Sequence, residues 1–180
     1  MNISIRPIDW NNDKEYRQFD DSFLVTSKLV LHVENGQITY TITEIPPFTK
    51  QYGGKRVTDF MAYDNDTNKN LFFAYVNNEL AGQIGVHRYW NNYALVDDFG
   101  VAPKFRRRGI GRALMDRAIE WAKEKGLPGM FLETQDINVP ACLFYENYGY
   151  ELRGFDMNLY KVLKPPLDEI ALFWYLIFDS

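Results

Sequence analysis

Arg106-Arg107-Arg108-Gly109-Ile110-Gly111-Arg112-Ala113-Leu114 lies between a strand-like run, Ala94 to Val101, and a long helix-like run, Gly109 to Lys125. A chain that leaves a strand and enters a helix through glycines aims several unpaired backbone N–H groups at one spot, where the positive end of the helix macrodipole also lies. Glycine at 109 and 111 keeps a Cβ from standing between backbone and ligand, and Arg106, Arg107, Arg108 and Arg112 add charge and forked donors. The segment therefore reads as an anion cradle for a phosphate or pyrophosphate. Its spacing, Arg-x-x-Gly-x-Gly, lacks the longer glycine loop and closing Lys-Ser or Lys-Thr of a P-loop, and it is not the three-glycine dinucleotide fingerprint. The bland alternative is a set of solvated arginines at a helix start.

Downstream, Asn138-Val139-Pro140-Ala141-Cys142-Leu143-Phe144-Tyr145-Glu146-Asn147-Tyr148-Gly149-Tyr150 predicts a second, shorter helix. Asn138 is a natural N-cap, Pro140 falls in the first turn, and Gly149 suits the left-handed C-terminal position. Together the two segments, Arg-x-x-Gly-x-Gly and then Asn-x-x-Ala-x-x-Phe-Tyr-x-x-x-Gly-Tyr, resemble the GNAT superfamily of N-acetyltransferases. Leu132-Glu133-Thr134-Gln135-Asp136-Ile137-Asn138, Gly154-Phe155-Asp156 and Phe173-Trp174-Tyr175 are similar to the streptothricin acetyltransferases within it. The resemblance covers the chain from about Leu71 onward. The first 60 or so residues match fewer motifs and are expected to hold much of the acceptor specificity.

The resemblance implies a mixed α/β fold: a largely antiparallel sheet of about seven strands, helices on both faces, and a splayed parallel central pair. It implies acetyl-CoA as cosubstrate, with its pyrophosphate on residues 106–112 and its pantetheine arm paired with Phe99, Gly100 and Val101 as an added strand. Tyr145 matches the family tyrosine near the thioester sulfur, and Asn138 either hydrogen-bonds the pantetheine, caps its helix, or does both.

Length and composition are compatible with this. The 180 residues suffice for one domain with one substantial core. Cys142 is the only cysteine, which excludes an intrachain disulfide and suits a reducing cytoplasm. Between Ala141 and Leu143 it reads as a small core thiol rather than a nucleophile. Neither a secretory leader nor a run of roughly 18 apolar residues is found, so no membrane association is expected. The net charge of −4 argues against nucleic acid and is compatible with a cationic small-molecule amine. Two scattered histidines and one cysteine suggest no metal site. The chain is expected to be a monomer or a homodimer.

Alternation predicts a first strand over Met1 to Ile8, and Asp13 to Phe23 follows as a helix. Leu29 to Val33 and Ile38 to Ile45 flank Glu34-Asn35-Gly36-Gln37, a hairpin signal, with Pro46-Pro47 expected to end the second strand. Gln51 to Asn70 reads as loop with at most a short helix around Arg56 to Tyr63. Leu71 to Val76, Glu79 to Arg88 and Ala94 to Val101 form a three-strand meander. The helix from Gly109 stops at Gly126 with Pro128 behind it, and a strand over Gly129 to Thr134 returns parallel to Ala94 to Val101. Tyr150 to Val162 and Glu169 to Phe178 complete the sheet.

Acetyl transfer to an amine needs an anchored cofactor, a neutral acceptor nitrogen, stabilisation of the oxyanion and a proton for the departing thiolate. Thiols have a pKa near ~8.5 and phenols near ~10, so Tyr145 suits the acid role; its structural alternative is an aromatic packing beside Phe144. A lysine-like amine with pKa near ~10.4 must first lose a proton. Glu133, Asp97 and Asp98 are the candidate acceptors of that proton, with Glu133 preferred. Strand alternation puts Asp97 with Phe99 and Val101, and Asp98 with Val96 and Gly100, so that one carboxylate at most faces the acceptor. His87 is a lesser candidate and His32 less still. Asp136, Asp156, Glu44, Tyr40, Trp90 and Tyr93 are candidates for an acidic, aromatic wall around the substrate.

Overall fold

The computed structural model of the chain describes residues 3–9, 22–51, 66–163 and 168–179. The helix expected from Asp13 lies outside them up to residue 21, and the short helix around residues 56–63 lies wholly outside. Among the described residues, seven strands form one sheet in the order β1 (Ile3–Pro7), β4 (Lys69–Val76), β5 (Glu79–Arg88), β6 (Ala94–Val101), β7 (Gly129–Gln135), β9 (Ala171–Ile177) and β8 (Glu151–Asp156), and β2 (Phe23–Glu34) with β3 (Gln37–Lys50) forms a separate two-stranded sheet. The sheet is mixed and mostly antiparallel with one parallel pair, as expected. The chain divides into two compact units, Met1–Ser22 with Gln51–Met130, and Phe23–Lys50 with Phe131–Asp179.

The first unit holds β1 (Ile3–Pro7), β4 (Lys69–Val76), β5 (Glu79–Arg88) and β6 (Ala94–Val101), antiparallel in that order. Asn77 and Asn78 adopt left-handed φ of 50° and 66°, which joins β4 to β5 in two residues. Helix α1 (Ile110–Glu124) buries Ile110, Leu114, Met115, Ala118, Trp121 and Ala122 against β4 and β5, an apolar stripe at helical spacing. It ends where Gly126 turns left-handed at φ 66° and donates to Lys123 O, while the Arg88 side chain donates to Lys125 O at 2.9 Å.

The second unit begins with β2 (Phe23–Glu34) and β3 (Gln37–Lys50), a long hairpin turned at Asn35 and Gly36 with φ 52° and 76°. Phe23, placed at a helix end by sequence, instead opens β2. Pro46-Pro47 does not end the hairpin: Val25 pairs with Phe48 and Ser27 with Glu44, so Thr26 stands opposite Ile45, Pro46 and Pro47. Prolines have no N–H for a ladder, and this bulge accommodates both, after which pairing resumes to Lys50.

Strand β7 (Gly129–Gln135) leads to helix α2 (Val139–Tyr148), then β8 (Glu151–Asp156) and β9 (Ala171–Ile177), the last two antiparallel. The strand expected over Tyr150 to Val162 stops at Asp156 because its Oδ1 accepts from the N–H groups of Asn158 at 2.7 Å and Leu159 at 3.2 Å, closing a turn. Stacking of Phe131 on Tyr175, centroids 5.2 Å apart, and the buried Trp174 contribute to the core here.

Gly82 in β5 is a close-approach glycine, since a Cβ there would stand 2.7 Å from the backbone O of Gly100. Gly82→Ala should therefore cost about 1–3 kcal/mol through strain in the β5–β6 pairing. A urea midpoint equal to that of the unsubstituted protein would show that the Gly100 carbonyl yields freely.

Candidate active site

In the first unit, the segment after β6 makes one 3-10 turn over Pro103–Phe105, and Arg107 and Gly109 then take left-handed φ of 62° and 83°. Among the described residues, nothing beyond its chain neighbours lies within 4 Å of a Cβ built on Gly109, so the requirement for glycine there comes from φ. The first helical bond runs from Ala113 N to Gly109 O, which leaves the N–H groups of Ile110 and Gly111 outside the ladder at the positive end of α1. Arg107, Arg108 and Arg112 are exposed around this helix start. An open, backbone-donor surface ringed by guanidinium groups fits a pyrophosphate. Arg106 does not join that ring as expected: its Nε donates to Val101 O at 3.0 Å and its Nη1 to Ser22 O at 3.1 Å, a brace between chain segments.

The expectation that Asp97 and Asp98 face opposite ways also fails. Gly85 pairs with Asp98 but Val86 pairs with Val96, so Asp97 is the extra residue of a bulge, and a bulge resets the alternation. Asp98 accepts from Gln83 Nε2, and Asp97 Oδ2 lies 3.4 Å from His87 Nδ1 without hydrogen-bond geometry. Gln83 and His87 are four apart on β5 and share a face, so both aspartates are on that face. Phe99 and Val101 pair with Ile84 and Gly82 on the opposite one. Trp90 and Tyr93 belong to the β5–β6 turn, where Trp90 is 83% exposed and Tyr93 O accepts from Tyr89 N at 2.8 Å.

In the second unit, Glu133 projects from β7 partly buried. Its Oε1 accepts from the Tyr160 hydroxyl, which itself accepts from Gln135 Nε2 at 3.0 Å. Burial first, and then the negative charge of Glu169, push the Glu133 carboxyl up to about 7. Lys50 Nζ donates to Glu169 Oε1 at 2.5 Å, with side chains only 15% and 10% exposed, and the buried Glu169 Oε2 has no donor among the described residues. Tyr160, Gln135, Lys50 and Glu169 were not among the residues singled out from sequence. Asp156-Met157-Asn158 is a turn signal that could have announced the return of Tyr160, but nothing announces a pair 119 positions apart such as Lys50 and Glu169.

Asp136 is 2% exposed and its Oδ1 accepts from Ile170 N at 3.0 Å, so it is a structural group rather than part of an open substrate wall; burial is the main reason its carboxyl is raised. Asp156 caps its own turn. Glu44 is exposed on β3, and His32 Nε2 lies 3.1 Å from Thr41 Oγ1 on the same hairpin. Tyr40 lines a groove of about 870 Å³ with Glu146, Tyr150, Arg153 and Trp174, and burial together with the Glu146 carboxylate pushes its hydroxyl up to about 12. Asn138 caps α2 by accepting from Ala141 N at 3.3 Å, and Tyr145 packs among Phe144, Tyr150 and Trp174.

Residues 39–150 match the acetyltransferase (GNAT) family. The chain belongs to that family. This GNAT acetyltransferase is 38% identical over 168 residues to streptothricin acetyltransferase A of Bacillus subtilis, covering 93% of this chain and 95% of the relative. A Bacillus anthracis protein, provisionally described as a streptothricin acetyltransferase and solved with acetyl coenzyme A bound, shares 38% identity with a TM-score of 0.90 over 99% of both chains. The crystal structure of nourseothricin acetyltransferase is similar at 29% identity and TM-score 0.80, covering 97% of this chain and 98% of that one. The GNAT protein described here is an acyltransferase with acetyl-CoA as donor.

Cys142 is fully buried, its Sγ is 3.8 Å from Gln135 O, and burial pushes the thiol up to about 12. The native protein should therefore consume no Ellman reagent at pH 8 over minutes and one equivalent after denaturation. Rapid native reaction would contradict the buried assignment.

Proposed function

We propose that this acetyltransferase moves the acetyl group of acetyl-CoA to an amino group of the β-lysine part of streptothricin, in the cytoplasm where that donor is made. The observation that carries the reading is similarity, over almost the whole length of both chains, to the streptothricin acetyltransferase of Bacillus subtilis. It is supported by the acidic surroundings of Glu133, which suit a cationic acceptor. Acetylation would remove one positive charge from the antibiotic and with it an electrostatic contact to RNA phosphates.

Acetyl-CoA, when bound, supplies an activated thioester. The residues of this chain bind and move protons around it. The N–H groups of Ile110 and Gly111, with Arg107, Arg108 and Arg112, are assigned to the pyrophosphate, and the backbone of Phe99, Gly100 and Val101 to the pantetheine. Glu133, balanced near neutrality, takes the proton of the acceptor amine, directly or through water. It is preferred to Asp98, which accepts from Gln83, and to Asp97, which faces His87. Tyr145 gives a proton to the departing thiolate.

A base with a midpoint of about 7 is ready only above it, so kcat/KM should rise with pH through about 7 and level off above pH 8. Glu133→Gln should flatten that limb and lower kcat by about 10²-fold or more. An unchanged limb in Glu133→Gln would remove Glu133 from the role.

The substrate is tested by coenzyme A release, followed with a thiol reagent, using streptothricin beside spermidine, an aminoglycoside and a lysine peptide. Release with streptothricin alone is expected, with mass spectrometry locating the acetyl group on the β-lysine part. Faster release with another amine would keep the chemistry and overturn the substrate. Tyr145→Phe should lower kcat by about tenfold or more with little change in acetyl-CoA affinity, whereas Gly111→Glu should abolish that affinity by placing bulk and negative charge at the phosphates.

A further inference from the structure

Three side chains of the second unit form a hydrogen-bonded row that ends on Glu133. Gln135 Nε2 donates to the Tyr160 hydroxyl at 3.0 Å, and that hydroxyl donates to Glu133 Oε1. Glu133 and Gln135 stand two apart on β7 and so project to the same side of the strand, where Tyr160, from the turn after β8, meets both. Among the described residues, Tyr160 is the only hydrogen-bond partner of Glu133.

We propose that Tyr160 is a positioning residue, occupying Glu133 Oε1 so that the other oxygen, Oε2, takes the proton of the acceptor amine. The inference rests on the role given to Glu133 above and adds which of its oxygens reacts and what holds it. An ionised carboxylate only accepts, so the single phenolic hydrogen of Tyr160 goes to Glu133, and Gln135 presents its NH2 to the phenolic oxygen. A proton arriving at Oε1 would set two hydrogens against each other between Glu133 and Tyr160. One arriving at Oε2 preserves both existing bonds. In that step an N–H bond of the substrate ammonium breaks and its electron pair stays on nitrogen, ready to attack the thioester. An O–H bond forms at Oε2, directly or through water.

Packing alone does not account for this arrangement. The turn after β8 is closed by Asp156 Oδ1, by Lys161 N on Asn158 O at 3.0 Å and by Leu163 N on Tyr160 O at 3.1 Å. It buries Tyr160 and leaves Leu159, Val162 and Leu163 exposed, although burying an aliphatic side chain returns more than burying a phenol with its hydroxyl. A tyrosine buried for its ring needs one partner for that hydroxyl, and Gln135 would suffice. The second partner is a carboxylate, and a bond to a charged acceptor fixes orientation more firmly than a neutral one. The other charged group acting on Glu133 is Glu169, from just before β9, which is itself paired with Lys50 of β3; the variants below leave both unaltered.

The test is the pH profile of kcat/KM for Tyr160→Phe, Glu133→Gln and the two combined, with a carboxyl-carbon NMR titration of the whole protein labelled at glutamate. Tyr160→Phe keeps the ring and removes the hydrogen that favours the ionised carboxylate. The Glu133 midpoint and the acidic limb should both move up by about half a pH unit or more. The plateau above the limb should fall about threefold or more as the carboxylate loses its orientation. Because Tyr160 acts through Glu133, adding Tyr160→Phe to Glu133→Gln should lower kcat/KM no further, whereas a tyrosine needed only for packing would lower both backgrounds alike. If Tyr160→Phe does not fold, Gln135→Leu, which leaves the hydroxyl without its own donor, should give a smaller upward shift. A Glu133 midpoint unmoved in the folded variant, or an equal loss in the two backgrounds, would overturn the proposal. A limb lost in Glu133→Gln but unmoved by Tyr160→Phe would overturn the proposal alone; a limb unchanged by Glu133→Gln would overturn the reading of Glu133 and the proposal with it.

Discussion

Asp136 is the knot on which the second unit depends. Its N–H donates to Ile170 O, its carboxylate accepts from Ile170 N, and its carbonyl accepts from Leu29 N at 2.9 Å. One nearly inaccessible residue thus joins the end of β7, the entry to β9 and the middle of β2. Burial of an acid opposes its ionisation, and backbone N–H groups aimed at the carboxylate recover part of that cost. Two carboxylates occur in one short stretch with different partners: Asp136 is bound by backbone, Glu133 by a tyrosine hydroxyl.

In the first unit the corresponding constraint is the strand-to-helix turn. The left-handed φ of Gly109 starts α1 with its first amides directed away from the ladder, and Arg106 ties the end of β6 to Ser22 through two backbone carbonyls. Four arginines in seven residues look equivalent in a sequence, yet one is a brace and three remain exposed at the helix start. The brace fixes the Arg106 guanidinium between the end of β6 and Ser22, which takes it out of the exposed set at the helix start.

Bulges have consequences out of proportion to their size. The one at Asp97 puts two consecutive aspartates on the same face, and the one opposite Thr26 lets a strand pass two prolines and deliver Lys50. In both places a rule of alternation or of proline exclusion, sound for an ideal ladder, yields to unpaired residues, Asp97 in one case and Thr26 with Ile45, Pro46 and Pro47 in the other. At Asp97 no local propensity marks the bulge, whereas Pro46-Pro47 marks its own, because proline has no N–H for the ladder.

Sequence alone determined what is local or motif-bound. Asn35-Gly36 and Asn77-Asn78 take positive φ, Asn138 caps a helix that Gly149 ends, and the stripe from Ile110 to Ala122 is buried, because each outcome depends on backbone sterics or helical spacing within a few residues. The Arg-x-x-Gly-x-Gly and Asn-x-x-Ala-x-x-Phe-Tyr spacings were enough to indicate a GNAT acetyltransferase. Only the tertiary structure decided the carboxylates. Which aspartates share a face, which acid is consumed by backbone, that Tyr160 meets Glu133 and that Lys50 meets Glu169 depend on bulges and on contacts between residues up to 119 positions apart. Desolvation and charge are felt through space, and a linear sequence does not contain those distances.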